Sequence, residues 1–233
     1  MSEPTVGTAQ RLVVAIDGPS GSGKSSTSRG VAVRLGLAYL DTGAMYRAAT
    51  WLALHSGLDT ADTAAVADLV ANAAMTISLD PAAPTIAIDG HDVTEAIREP
   101  EVSAAVSAIA TNLAVRAMLV RHQQHLIAEA DPGIVAEGRD ITTVVAPDAQ
   151  VRILLVADPQ ARVARREAEL GGRVDTASVT DQVIRRDADD STVAQFHAAA
   201  PGVVLVDSTH HTLDQVVEAI CALVEESRQP VSR

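Results

Sequence analysis

The chain is nearly without lysine: its 233 residues hold 18 lysines and arginines together, and Lys24 is the only lysine among them. Set against 30 aspartates and glutamates, this gives a formal charge of −12, with no basic run anywhere. Nucleic-acid-binding domains normally carry a basic stripe, so neither DNA nor RNA is expected as a partner. Cysteine is equally scarce. Cys221 alone excludes a disulfide framework within the chain, and its apolar helical surroundings suit a buried thiol. One Trp, one Phe and two Tyr leave the core to Ala, Val, Leu and Ile, which favours α/β layers over an aromatic-rich sandwich. No apolar run approaches the roughly 18 residues of a membrane span. Met1 to Gln10 includes Glu3 and lacks the apolar stretch of a signal peptide. The expectation is a soluble cytoplasmic protein with no membrane partner.

The one lysine stands in Gly18-Pro19-Ser20-Gly21-Ser22-Gly23-Lys24-Ser25, which matches the phosphate-binding pattern G-x-x-x-x-G-K-[ST]. Leu12–Ile16 before it is a short β-branched run suited to a buried strand, and Ser25–Leu35 after it alternates apolar and basic residues as a helix does. Strand, glycine-rich turn and helix is the context in which the motif works. Glycines let backbone N–H groups turn toward phosphate oxygens, and the helix N-terminus adds partial positive charge. Lys24 is expected to reach the β- and γ-phosphates of a nucleoside triphosphate, and Ser25 to ligate Mg²⁺. Gly18 through Ser26 form the candidate triphosphate site.

Five apolar runs read as buried parallel strands: Leu12–Ile16, Leu37–Leu40, Gly133–Ala136, Arg152–Val156 and Val203–Val206. Helical patterns lie between them. Asp158-Pro159 signals one helix start and Thr212-x-x-Gln215 another. The expected fold is α/β, a doubly wound five-stranded parallel sheet with ligands at the carboxyl ends of the strands. Met75–Leu79, Thr85–Ile88 and His91–Val93 break the alternation and, with the turn signal Asp89-Gly90, read as an antiparallel meander. One long helical stretch from Glu101 to Ala130 is expected to return the chain to the sheet. Residues 57–130 are therefore expected as an inserted lobe, with 11–56 and 131–226 as the core, a helical lid at about 160–192, and one catalytic unit overall.

Phosphoryl transfer rests on positioning and charge neutralisation, which makes arginines near strand ends informative. Asp41-Thr42-Gly43-Ala44-Met45-Tyr46-Arg47 follows the second strand, and Glu137-Gly138-Arg139-Asp140 follows the third. Arg162, Arg165, Arg166 and Arg173 lie around Gly171-Gly172, followed by Arg185 and Arg186. Spacing alone leaves Arg47 open as a solvated helix residue, Arg139-Asp140 as a structural salt bridge, and the later arginines as a solvated face or a closing lid. His122 with His125, and His210 with His211, lack further ligands at metal-binding spacing, so solvated or capping roles are expected.

Together, Ile16 to Ser26, Leu40 to Arg47, Glu137 to Ile141 and Arg185-Arg186-Asp187 resemble the bacterial cytidylate kinases, in order and across nearly the whole chain. The resemblance implies Mg·ATP on the loop around Lys24 and CMP or dCMP under the inserted lobe, in a monomer. It implies that Thr42, Arg47 and Arg139 hold the acceptor monophosphate or its base, and that Ser107, Arg116 and Asp140 bond the cytosine edge. Arg186 and Asp190 are implied at the sugar and the transferring phosphoryl group, Lys24, Arg139 and Arg186 as the catalytic cations, and Arg162 and Arg166 as lid residues. Two positions depart from the family pattern. Thr142 stands where the family usually has glycine, and Val193 where an arginine usually follows Asp190 by three residues. A lost cation there lowers efficiency more than it changes reaction type, and Arg185 is a candidate to compensate. A kinase for another monophosphate, or a weakened nucleotide-binding module, are the competing readings. A guanine-specific GTPase is excluded, because its guanine motif needs a second lysine.

Overall fold

The computed structural model describes residues 11–170, 188, 192, 194 and 198–229. Five parallel strands make the main sheet: β1 (Leu12–Asp17), β2 (Ala38–Asp41), β6 (Gly133–Gly138), β7 (Val151–Val156) and β8 (Val204–Asp207), in the order β2-β6-β1-β7-β8. β1 is central because it is buried on both faces. Leu12, Val14 and Ile16 point into one apolar layer and Ala15 into the other, as a period of two requires. Helices α1 (Lys24–Leu35) and α7 (Leu213–Arg228) cover the first layer, and α6 (Pro159–Leu170) follows β7. α7 opens with the expected capping box, Thr212 and Gln215 bonding each other's backbone N–H.

The opposite layer is thicker. Helices α2 (Thr42–His55), α3 (Thr63–Asn72), α4 (Pro100–Thr111) and α5 (Leu113–Glu129) share one continuous apolar cluster with β1, β2 and β6. The expected meander is present as β3 (Met75–Ile77), β4 (Ile86–Ile88) and β5 (His91–Asp92), all antiparallel. Asp89 and Gly90, with φ of 48° and 77°, make its tight turn. The Leu79 carbonyl accepts the Tyr39 N–H at 2.9 Å, so the meander also covers the edge of β2.

One expectation fails. The stretch from Glu101 to Ala130 is not one helix but two, α4 and α5, bent by 94°. Asn112 makes the break: its side-chain oxygen accepts the Ala114 and Val115 N–H groups, and its amide donates to Thr63 O at 2.8 Å. An N-cap outcompetes helix continuation where the next turn can pack. Ser107 lies on α4 and Arg116 on α5, on either side of the bend. Among the described residues no single helix is long and apolar enough to cross a membrane.

Candidate active site

β1 ends at Asp17, and the glycine-rich loop leads directly into α1. Gly21 has φ of 74°, and a Cβ there would lie 2.6 Å from the Arg162 carbonyl oxygen, so both torsion and space demand glycine. The loop carbonyls are bonded from outside. Arg162 donates to Ser20 O at 3.1 Å, Arg165 to Ser22 O at 3.3 Å, and the Ser208 hydroxyl to Ser22 O at 3.0 Å. Lys24 Nζ donates to Pro19 O at 3.0 Å across the loop. The Ser22 N–H donates to Pro19 O at 3.4 Å, and the amides that open α1 beyond it end a helix dipole that favours an anion. Gly23, the left-handed N-cap of α1, brings no side-chain cap to compete for them. Ser25 and Ser26 stand exposed at the start of the helix.

Beneath Ser25 lies a buried acidic cluster. Tyr39 Oη donates to Glu137 Oε1 at 2.9 Å, and the Ser25 hydroxyl lies close enough to both to favour their ionised forms. Glu137 faces Asp41 across the β2–β6 register. Burial, reinforced by Asp41, pushes the Glu137 carboxyl up to about 7, with Lys24 pulling the other way. Burial likewise raises the Tyr39 phenol. A hydroxyl beside carboxylates is an oxygen donor set suited to a hard divalent cation.

On the far side of Asp41, guanidinium groups converge. Arg47, on α2, donates to Ser103 Oγ at 2.8 Å and Ile97 O at 3.2 Å. Its ionisation is depressed to about 10, first by burial and then by the charges of Arg166, Arg98 and Arg139, while Asp41 opposes the shift. Several guanidinium groups around a desolvated one suit a dianion. Thr42, at the first position of α2, is buried and donates its hydroxyl to Glu137 O at 2.7 Å. Arg139 donates to Gly18 O at 2.7 Å, which places it beside the phosphate loop.

Arg116 and Asp140 form a close ion pair, and Ser107 is buried on the neighbouring helix α4. Burial raises the Asp140 carboxyl to about 6, Arg116 opposes the rise and Asp17 adds to it. Thr142 does not adopt a strained turn. It lies in a wide helical turn, Ile141–Val145, and Asp89 is the only non-glycine of positive φ among the described residues. Arg162 sits against the phosphate loop and Arg166 beside Arg47. Arg173, Arg185, Arg186, Asp190 and Val193 lie outside the described residues.

The cytidylate kinase family model matches residues 14–226. This chain belongs to the cytidylate kinase family. The cytidylate kinase of Cutibacterium acnes is 56% identical over 214 residues, covering 91% of this chain and 96% of that protein. The cytidylate kinase of Streptomyces coelicolor is 48% identical over 222 residues, covering 95% and 96%. Among solved structures, an uncharacterised protein from Eubacterium ventriosum has a TM-score of 0.53 at 9% identity, covering 92% of this chain and 99% of its own, a likeness of fold alone.

Four features of this cytidylate-kinase-family site escape sequence reasoning. Arg98, on the short helical turn Ala96–Arg98, has no motif around it, and only the fold brings it toward Arg47. Arg165, grouped with the lid by sequence, bonds Ser22 O, Ser208 Oγ and Ser208 O and so braces the phosphate loop. Glu137 and Tyr39 needed the parallel register of β2 and β6 to meet. Asp17, directly before the loop, had a signal, a charge at the end of an otherwise apolar strand.

Proposed function

We propose that this chain transfers the terminal phosphoryl group of Mg·ATP to CMP or dCMP. The observation that carries the reading is three chemistries set just beyond the carboxyl ends of β1, β2 and β6 or paired with residues there. A phosphate loop with its lysine lies beside an arginine cluster centred on Arg47, and the Arg116–Asp140 pair stands on the lobe side. Gly18 to Ser26 would take the triphosphate. Ser25, with Glu137 and Asp41 behind it, would hold Mg²⁺, which shields phosphate charge when bound.

Arg47, Arg139, Arg98 and Arg166 would take the acceptor monophosphate, with Thr42 and Ser103 positioning α2 and Arg47. An oxygen of that phosphate attacks the γ-phosphorus as the bond from the γ-phosphorus to the β–γ bridging oxygen breaks, and ADP leaves. Lys24, Arg139 and Arg186 offset the charge that develops. Ionised Asp140 accepts the cytosine amino group, while Arg116 and Ser107 face its ring acceptors. A uracil carbonyl would meet the carboxylate lone pair to lone pair, which a buried site penalises. Asp190 and Arg186 would complete the sugar side, with Arg162 and Arg166 closing over it. Residues 57–130 would then be the acceptor lobe of one monomeric, cytoplasmic catalytic unit.

The test is coupled ADP release with Mg·ATP and a panel of CMP, dCMP, UMP, AMP, GMP and TMP. A strong preference for CMP or dCMP is expected. Preference for another acceptor would overturn the cytosine assignment. ATP binding without turnover on any acceptor would make the chain a binding module.

A further inference from the structure

Asp17 occupies the last position of β1, immediately before the first loop glycine, and is 1% exposed. Its carboxylate does not point into the phosphate loop. It crosses to the turn after β6, where Oδ1 accepts the Ile141 N–H at 2.8 Å. Oδ2 accepts the Thr142 N–H at 2.8 Å and the Thr142 hydroxyl at 2.6 Å. The turn is tied back in the other direction by Arg139, whose Nη1 donates to Gly18 O at 2.7 Å.

Asp140 stands between these two ties. Its own carbonyl accepts the Val144 N–H at 2.8 Å, which fixes the far side of its peptide unit. The backbone that aims its carboxylate is thus held on both sides, and one of the two holds is Asp17.

We propose that Asp17 is a positioning residue that couples the phosphate loop to base recognition, with the Thr142 hydroxyl as its third anchor. The proposal rests on the reading of Asp140 as the group that accepts from cytosine. A carboxylate suits the task because all three groups facing it on that turn are donors, and a carboxylate is acceptor-only. An amide at the same place would turn a donor toward one of them. Small losses of aim at Asp140 fall on discrimination between bases, since productive geometry tolerates little displacement.

The experiment compares the parent with Thr142→Val, Thr142→Ser and Asp17→Asn, using CMP and UMP as acceptors at saturating Mg·ATP. The KM for ATP and the thermal midpoint are measured alongside. Thr142→Val removes only the hydroxyl. It is expected to lower the ratio of kcat/KM for CMP over UMP about tenfold, the scale of one charge-assisted hydrogen bond. The KM for CMP carries the change and the KM for ATP moves less than about twofold. Thr142→Ser is expected to restore the ratio, and Asp17→Asn to lower it further. An unchanged ratio in Thr142→Val would overturn the coupling. So would an equal loss on CMP and UMP that follows the thermal midpoint, which is what a merely structural bond predicts. If Asp17→Asn does not fold, the two Thr142 variants decide. A parent enzyme that treats CMP and UMP alike would refute the base-reading role of Asp140, and this proposal with it.

Discussion

Replacing Arg47 by methionine tests whether its charge is kept for a ligand or for the fold. At neutral pH the guanidinium is charged in a buried place where Arg98, Arg139 and Arg166 repel it. Its displacement from 12.5 to about 10 corresponds to roughly 3 kcal/mol of unfavourable interaction in the free protein. The sign follows from linkage. A cation whose folded pKa is lowered destabilises the fold at every pH below that value, and the cost is relieved only as pH rises through about 10. Against this stand the hydrogen bonds to Ser103 Oγ and Ile97 O, worth about 1–3 kcal/mol together. Methionine keeps most of the apolar stem. Arg47→Met is therefore expected to leave the ligand-free protein as stable as the parent, or up to about 2 kcal/mol more so. It should also remove most of the stabilisation that added CMP provides. Urea unfolding with and without CMP reads both quantities. A ligand-free variant that is less stable by more than about 2 kcal/mol would show that Arg47 is a structural residue, and the acceptor-phosphate reading would lose its centre.

Further outcomes follow from the same geometry. Lys24→Ala is expected to lower turnover at least about a hundredfold while circular dichroism and the thermal midpoint stay near the parent; parent-like turnover would contradict the phosphate-loop assignment. With the Asp140 carboxyl near 6, kcat/KM for CMP is expected to fall below that pH more steeply than for UMP, whose phosphate titrates in the same range; identical profiles would mean that Asp140 does not read the base. In the folded protein Asp140 holds its proton more tightly than in the unfolded chain, so its ionisation costs stability as pH rises from about 4 to about 6. The ligand-free Asp140→Asn variant should gain on the parent through that window, read by urea midpoints at several pH values. Asn112→Ala deletes the cap of α5 and its bond to Thr63 O, and should cost about 1–3 kcal/mol in urea unfolding. Val193→Arg is expected to leave turnover with CMP unchanged or raise it, and a large loss would show that the position serves another role.

The sheet was legible because β1, β6 and β7 are largely buried and so form unbroken apolar runs. β8, expected to be buried, instead leaves Val204 and Leu205 exposed at the sheet edge. The meander was legible because Asp89-Gly90 is a strong turn signal. The phosphate loop was legible because its mechanism fixes residue types at fixed spacing. The break between α4 and α5 was not, since the apolar pattern from Glu101 to Ala130 continues through Asn112, and a cap is decided by what the next turn can pack against. Arg98 and Glu137 were missed for a related reason. Neither belongs to a local pattern for its role, and each meets its partners only through tertiary contacts, Arg98 near Arg47 and Glu137 beneath Ser25. Thr142 stands where the family usually has glycine. In the fold its side chain adds a bond to Asp17 that glycine has no atom to make.

Beside the Arg116–Asp140 ion pair, the site brings like charges together. Glu137 and Asp41 neighbour one another beneath Ser25, while Arg47, Arg98, Arg139 and Arg166 gather beyond them. A sequence selected for stability alone would interleave these groups as salt bridges, since like charges in burial disfavour their own ionisation. Here burial and like charge push the Glu137 carboxyl up and the Arg47 guanidinium down, each against its charged form, and ligands of opposite sign relieve them. A cation bound to a polyphosphate is such a ligand for the acidic half, and a second phosphate for the basic half. Binding of either substrate is then expected to stabilise the protein by more than its contact area suggests, and both together by more than the sum, because each removes repulsion that opposes the other's neighbours. Thermal midpoints with a nonhydrolysable Mg·ATP analogue, with CMP and with both would show it. Strict additivity would mean that the two clusters do not communicate through Asp41 and Arg139, the residues that stand between them.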